Sequence, residues 1–187
     1  MLGDSFRALY ERHKTYRGHA KGLMINEEWR YTGRLGVAIG ALALLNPRNI
    51  LDVGCGYADL GAALPDKITY TGIDYTSWVV DEARARHPAL DIRKQSLEGE
   101  NSLPVADCVS ALGVLATVPK QDLTRTLDLL RGLSRRYLLI SYLDPEVYDG
   151  RLHAHSYADL CPVLGAMVMP PVAAPGDEIN KTAIFAI

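Results

Sequence analysis

The segment from Ile50 to Leu60 constrains the fold of this chain more than any other, because it joins an apolar run directly to a glycine turn. Its residues read ILDVGCGYADL, and the glycines are Gly54 and Gly56. Neither glycine carries a Cβ, so the backbone can turn tightly and bring its N–H groups close to a bound ligand. A strand that enters a helix through such a turn is typical of a parallel sheet with a nucleotide-like ligand at its edge.

A second apolar run, beginning at Tyr70, ends in an aspartate. Asp74 follows Gly72 and Ile73 at the carboxyl end of the next predicted strand. An acidic residue at this position is placed to accept hydrogen bonds from the two hydroxyls of a ribose. Together with the glycine turn, it predicts a site for a nucleoside-containing cofactor.

Acidic residues around the turn indicate which cofactor this is. A dinucleotide fingerprint that starts at Gly54 needs a third glycine at position 59, where this chain has Asp59. Asp52 adds a second carboxylate just before the turn. Two carboxylates repel phosphates and attract cations. S-adenosylmethionine (SAM) fits, because it carries a sulfonium and an ammonium and has no phosphate.

The same residues resemble a known family. Residues 51–56 with Asp59 are similar to the first motif of class I SAM-dependent methyltransferases, and residues 72–74 to the second. Residues 106–118 are more loosely similar to the fourth strand and following loop of that family. Many relatives have an acidic residue and a histidine in this loop, but Gly113, Ala116 and Thr117 stand there. The resemblance covers about residues 48–143. It does not imply a catalytic base in this loop.

The resemblance implies a set of cofactor contacts. Asp74 would hold the ribose, and Tyr75 would pack on the adenine. Apart from the resemblance, Tyr16 is a candidate cofactor contact, and Arg30 and Arg34 could bind the methionine carboxylate or a substrate carboxylate. The third strand ends in uncharged residues where many relatives have an aspartate that contacts the adenine amino group. The full predicted set is Asp52, Gly54, Cys55, Gly56, Asp59, Asp74, Tyr75, Ser96, Leu97, Leu112, Gly113, Tyr16 and Arg34. Alternatively, Tyr16 is a core aromatic residue. The alternative for Arg30 and Arg34 is that they form a basic helix face exposed to solvent.

The remaining pattern alternates between strands and helices. Strands are predicted near 49–53, 68–73, 90–94, 106–112, 136–142, 164–169 and 181–186, and helices near 57–64, 76–86, 120–133 and 156–161. This alternation predicts a three-layer Rossmann-like α/β sandwich with a mostly parallel seven-stranded sheet. The family resemblance implies an antiparallel last strand. Four prolines between Cys161 and Gly176 predict the turns of a closing hairpin and no long helix.

Two helices are predicted before the first strand, over residues 4–21 and from about Asn26 to Leu45. At 187 residues, of which 48% are hydrophobic and 22% charged, the chain is expected to form a single domain. Within residues 1–187, residues 1–47 would be a helical cap and residues 48–187 the SAM-binding core. In the family that this chain resembles, such extensions often close over the cofactor and help to form the acceptor pocket.

Two histidines after the fifth strand are the candidate catalytic residues. His153 and His155 can present both imidazoles on one face of an extended segment, where one could serve as a general base. They could also share a metal ion, but the sequence shows no third ligand, and a surface loop is the simpler interpretation. No metal site is therefore predicted.

The sequence predicts a methyltransferase that acts on an oxygen or nitrogen of a small molecule, using SAM and releasing S-adenosylhomocysteine (SAH). A formal net charge of −2 provides no overall attraction to nucleic acid or membrane. Residues 1–48, however, hold eight basic and four acidic residues, which keeps RNA or protein acceptors open. A non-catalytic SAM-binding module is the other alternative. Three separated cysteines and the lack of a long apolar segment favour a cytoplasmic protein. The sequence leaves the oligomeric state open.

Overall fold

The computed structural model describes residues 28–98, 103–146, 152–175 and 177–187, and these form an α/β sandwich around one seven-stranded sheet. The strands are β1 (Asn49–Val53), β2 (Thr69–Asp74), β3 (Asp91–Lys94), β4 (Ala106–Ala111), β5 (Ser134–Leu143), β6 (Met167–Ala174) and β7 (Asp177–Ala186). The helices are α1 (Glu28–Leu45), α2 (Asp59–Ala62), α3 (Ser77–Arg86), α4 (Leu123–Gly132) and α5 (Tyr157–Leu164). Two short 3-10 helices, Leu115–Thr117 and Lys120–Asp122, precede α4. The predicted fold class is confirmed.

The strand order is β3-β2-β1-β4-β5-β7-β6. Strands β1 to β5 pair in parallel, whereas β7 lies antiparallel between β5 and β6. The predicted antiparallel last strand is thus confirmed. From β1 the chain builds the sheet outward on one side to β3, and then on the other side from β4. The point between β1 and β4 is where such sheets bind ligands, beyond the carboxyl ends of their strands.

Both faces of the sheet are covered, because alternate strand residues point to opposite sides. Helix α1 contributes Ala38 and Leu42 to a core with Ile50 and Leu139. The opposite face forms the larger core, in which α4 and α5 pack on strands β1, β4, β5 and β7. The central strands are therefore fixed from both sides, and their carboxyl ends form a rigid rim.

The C-terminal third differs from prediction in its boundaries. Helix α5 continues to Leu164 and includes Pro162, and the strand expected near 164–169 lies at Met167–Ala174. Pro170 and Pro171 therefore lie inside β6. This is tolerated because β6 is at the edge of the sheet, where a missing N–H need not break a ladder between two strands.

Helix α1 confirms the second predicted N-terminal helix, and it ends where Asn46 adopts a left-handed conformation (φ 44°) before Pro47. The first predicted helix, over residues 4–21, lies outside the described residues, and Tyr16 lies there with it. Among the helices that the structure describes, none is long and apolar enough to cross a membrane.

Candidate functional site

A cavity of about 310 Å³ opens at the rim formed by the carboxyl ends of the parallel strands. The first half of α1 forms its opposite wall. Eleven of the predicted cofactor contacts line it: Asp52, Gly54, Cys55, Gly56, Asp74, Tyr75, Ser96, Leu97, Leu112, Gly113 and Arg34. The fold therefore gathers into one cavity residues that come from five separate segments of the chain.

The glycine turn is held in place by the neighbouring strand. The backbone N–H groups of Gly54 and Cys55 donate to the carbonyl oxygen of Ile73, at 2.8 and 3.0 Å. Gly54 has a φ of 68°, and a Cβ on it would lie 2.7 Å from a side-chain carbon of Val114. Glycine is thus required there by both the backbone conformation and the lack of space.

Asp52 is a buried carboxylate that lines the cavity beside this turn. The hydroxyls of Tyr70 and Ser110 donate to its two oxygens, at 2.8 and 2.7 Å. Burial raises the pKa of Asp52 to about 6, although these two hydrogen bonds act in the opposite direction. At neutral pH the site therefore contains a fixed negative charge that suits a cationic ligand.

Tyr70 reaches Asp52 only because a glycine of α2 leaves room for its ring. A Cβ on Gly61 would lie 2.6–2.7 Å from three ring carbons of Tyr70. In a dinucleotide fingerprint the third glycine allows close packing of helix on strand. Here Gly61 has this packing role, two positions after Asp59.

Asp74 connects the two predicted motifs. One of its oxygens accepts a hydrogen bond from the N–H of Thr76 at 2.8 Å, and the other from Gly56 in the glycine turn at 3.3 Å. Burial raises the pKa of Asp74, and the backbone N–H donors counteract this. Asp74 also lines the cavity, and a carboxylate oxygen can accept more than one hydrogen bond, so it can accept from a ligand hydroxyl as well.

Asp59 has a different environment from the one expected for a cofactor contact. It is not among the described residues that line the cavity. Its carboxylate accepts a hydrogen bond from Tyr31, and the other oxygen lies 3.3 Å from Nε2 of His87. Asp59 therefore joins α1 to α2 and to the end of α3, and the structure does not place it with the other predicted cofactor contacts.

Cys55 lies in the turn as a thiol. Burial and the nearby carboxylates of Asp52 and Asp74 raise its pKa. The thiolate required of a nucleophile is disfavoured there at neutral pH.

The two candidate catalytic histidines do not line the cavity among the described residues. His155 is fully buried, and its Nε2 lies 3.0 Å from the carbonyl oxygens of both Leu115 and Val118. Burial lowers its pKa. The structure thus places His155 outside the described cavity lining, where its imidazole holds the loop after β4 in place. The backbone N–H of His153 donates to Ala116 in the same loop.

Metal binding also has no support within the described part of the chain. No group of three histidine, cysteine, aspartate or glutamate side chains lies together there in an arrangement that could hold an ion.

Arg34 lines the cavity from α1 and is bound on one side by β7. Its Nε donates to Asp177 at 2.9 Å, and Nδ2 of Asn180 donates to both oxygens of the same carboxylate. Arg30, one helical turn earlier, lines the same cavity. The two arginines thus face the site, and the alternative of a solvated basic face is wrong.

Several residues of the site gave no motif signal. Ser110 and Asp177 act through contacts with segments far along the chain, on Asp52 and Arg34. The other three residues without a motif signal are Tyr70, Gly61 and Asn180, whose contacts lie within 18 residues. Asp52 and Ser110 did carry one clue, since each is a polar residue inside an apolar strand and so needs a partner. They are direct register partners across β1 and β4.

No family model matches this sequence, and no curated protein matches it either. Solved structures do match over most of the chain. Magnesium protoporphyrin IX methyltransferase (ChlM) from Synechocystis PCC 6803, solved with bound SAM, is 16% identical with a TM-score of 0.73, covering 99% of this chain and 92% of that one.

Two further structures are similar. The N-methyltransferase NodS from Bradyrhizobium japonicum WM9, in complex with SAH, is 14% identical with a TM-score of 0.77, covering 98% of each chain. The methyltransferase domain of bacterial CtHen1 is 16% identical with a TM-score of 0.68, covering 84% of this chain and all of that one. This chain therefore has the Rossmann-like fold of the class I SAM-dependent methyltransferases.

Proposed function

We propose that this protein is a SAM-dependent methyltransferase that transfers a methyl group to an oxygen or nitrogen of a small molecule. The observation that carries the proposal is the cavity in which Asp52 and Asp74 flank a glycine turn. These two carboxylates, of which Asp52 is buried and Asp74 partly buried, disfavour a diphosphate and favour a cationic nucleoside. The similar structures solved with SAM or SAH support the same cofactor.

The residues present fit SAM. Asp74 would accept hydrogen bonds from the ribose hydroxyls, and Asp52 would attract the ammonium of the methionine part. Tyr75, Ser96 and Leu97 would surround the adenine. Glu98 also lines the cavity directly after them and offers a carboxylate near the position where many relatives have an aspartate.

Once bound, the sulfonium supplies an electrophilic methyl group, so the protein has to position the reacting atoms and exclude water. The loop after β4 contributes to this positioning. Its Gly113 lines the cavity and donates a backbone hydrogen bond to the hydroxyl of Ser141 at 2.7 Å, which ties the loop to β5.

A small acceptor is favoured by the cavity, because apolar residues line it on the β5 side, as in small-molecule sites generally. An RNA or protein acceptor is the alternative, because residues 1–48 hold eight basic and four acidic residues. A non-catalytic SAM-binding module is the third candidate.

Calorimetry with SAM, SAH and NAD tests the cofactor. We expect both SAM and SAH to bind and NAD not to. Asp74→Ala should weaken SAM binding by at least about tenfold, because two hydrogen bonds to a charged group are lost. Asp128→Ala, on the exposed side of α4, is the matched control and should bind as the wild type does.

Transfer is tested by following conversion of SAM to SAH with panels of small alcohols, amines and carboxylic acids, and with RNA. Conversion that depends on a small acceptor supports the proposal. Binding of NAD alone would refute the choice of cofactor, and SAM binding without conversion on any panel would favour the non-catalytic module.

A further inference from the structure

We propose that the methyl acceptor is a small organic acid whose carboxylate binds the terminal nitrogens of Arg34. The inference rests on the proposed function and names the substrate class of the same cavity. It starts from the pairing of Arg34, at the cavity wall, with Asp177, which has no exposed surface.

Asp177 orients the guanidinium of Arg34. The Asp177 carboxylate accepts a hydrogen bond from Nε of Arg34 at 2.9 Å. Nδ2 of Asn180 donates to both oxygens of the same carboxylate, at 3.0 and 3.1 Å. No other described residue hydrogen bonds the Arg34 guanidinium. The edge formed by Nη1 and Nη2 is thus available, and this edge binds carboxylates in a bidentate manner.

The position of this pair separates it from the cofactor half of the cavity. Asp177 begins β7, and β4 and β5 lie between β7 and β1. Neighbouring strands are about 4.8 Å apart, which puts β7 roughly 14 Å from β1. The glycine turn and Asp74 follow β1 and β2, so Arg34 is anchored on the opposite side of the switch point from the ribose site. Arg34 is therefore assigned to the acceptor in place of the cofactor role that the sequence predicts.

The walls around Arg34 match the body of an organic acid. Leu143, Leu152 and Ile179 line the cavity at this end. Apolar surroundings strengthen the attraction between a guanidinium and a carboxylate, because the local dielectric is low. Arg30 lines the same cavity and adds positive charge, which disfavours a cationic amine as the acceptor molecule.

The test uses protein loaded with SAH and two matched pairs of probes, phenylacetate with 2-phenylethanol and hexanoate with 1-hexanol. Calorimetry should show at least one carboxylate binding about tenfold or more tightly than its alcohol. Arg34→Gln should abolish this preference while SAH binding stays within about twofold of wild type. Arg131→Gln, an exposed arginine of α4 that does not line the cavity, is the matched control and should keep the preference.

Arg34→Lys gives a second measurement, because lysine keeps the charge beside Asp177 but lacks the planar fork. It should retain only part of the carboxylate preference. The inference is overturned if neither carboxylate is preferred, or if Arg34→Gln keeps the preference. Loss of SAH binding in Arg34→Gln would assign the arginine to the cofactor instead. Failure of the wild type to bind SAH would refute the proposed function itself, and this inference with it.

Discussion

The raised pKa of Asp52 predicts how cofactor binding depends on pH. The carboxyl ionises at a pH of about 6, because it is buried. An ammonium group binds the ionised form, so affinity should fall as the pH drops through this value. The carboxyl is about 90% ionised at pH 7 and about 10% ionised at pH 5. The Kd for SAH should therefore rise about tenfold from pH 7 to pH 5, which corresponds to about 1.4 kcal/mol.

SAH is the suitable ligand for this titration, because it retains the ammonium and lacks the sulfonium. Calorimetry at half-unit steps between pH 5 and 8 would give the profile. Asp52→Asn removes the titrating group and should give weak binding at pH 7 with little change down to pH 5. This variant also separates Asp52 from Asp74, whose pKa is raised as well. We propose that Asp74 binds ribose hydroxyls, which carry no charge.

Tyr70→Phe provides a second control, for which the direction of the change in the pH profile can be predicted. The tyrosine hydroxyl donates to Asp52 and lowers its pKa. Without it, the pKa should rise and the loss of affinity should begin at a higher pH than in the wild type. A wild-type Kd that is constant from pH 5 to 7, or an Asp52→Asn profile as steep as that of the wild type, would refute the assignment of Asp52 to the ammonium.

Three further predictions concern stability and can be measured by urea unfolding. Gly61→Ala should cost about 1–3 kcal/mol because its Cβ overlaps the ring of Tyr70, whereas Gly40→Ala, with open space in α1, should be neutral or stabilising. Ala58 is fully buried and has a φ of 60°, a left-handed conformation. Ala58→Gly should change the free energy of unfolding by less than about 1 kcal/mol, because relief of backbone strain offsets the loss of a buried methyl group. Ala58→Val should be strongly destabilising. His155→Ala should cost about 2–4 kcal/mol by leaving two carbonyl oxygens without a donor, yet the folded variant should bind SAH as the wild type does.

Much of the cofactor half of the site could be predicted from the sequence. The glycine turn and Asp74 are local signals, since a turn without Cβ atoms and an acidic residue at a strand end each act within a few residues. Alternation of strands and helices then predicted a parallel sheet, and parallel strands bring their carboxyl ends to one rim.

The directions of the His155 and Asp59 side chains could not be predicted from the sequence. Position after a strand, for His155, and resemblance to a motif, for Asp59, do not specify what packs against a side chain. His155 points inward to the carbonyl groups of Leu115 and Val118, which are about 40 residues earlier in the chain. The strand containing Pro170 was misplaced for a related reason, because only the sheet order shows that β6 is an edge.

By itself the sequence determined the fold class, the glycine turn and the acidic residues that select a cationic, phosphate-free cofactor, because these depend on short-range backbone chemistry. Only the tertiary structure determined which groups form hydrogen bonds with the charged residues of the site. Tyr70 and Ser110 hold Asp52, and Asp177 holds Arg34 from 143 positions away. Such pairs form when the sheet brings distant strands side by side, and each buried charge then requires a partner that no local pattern specifies.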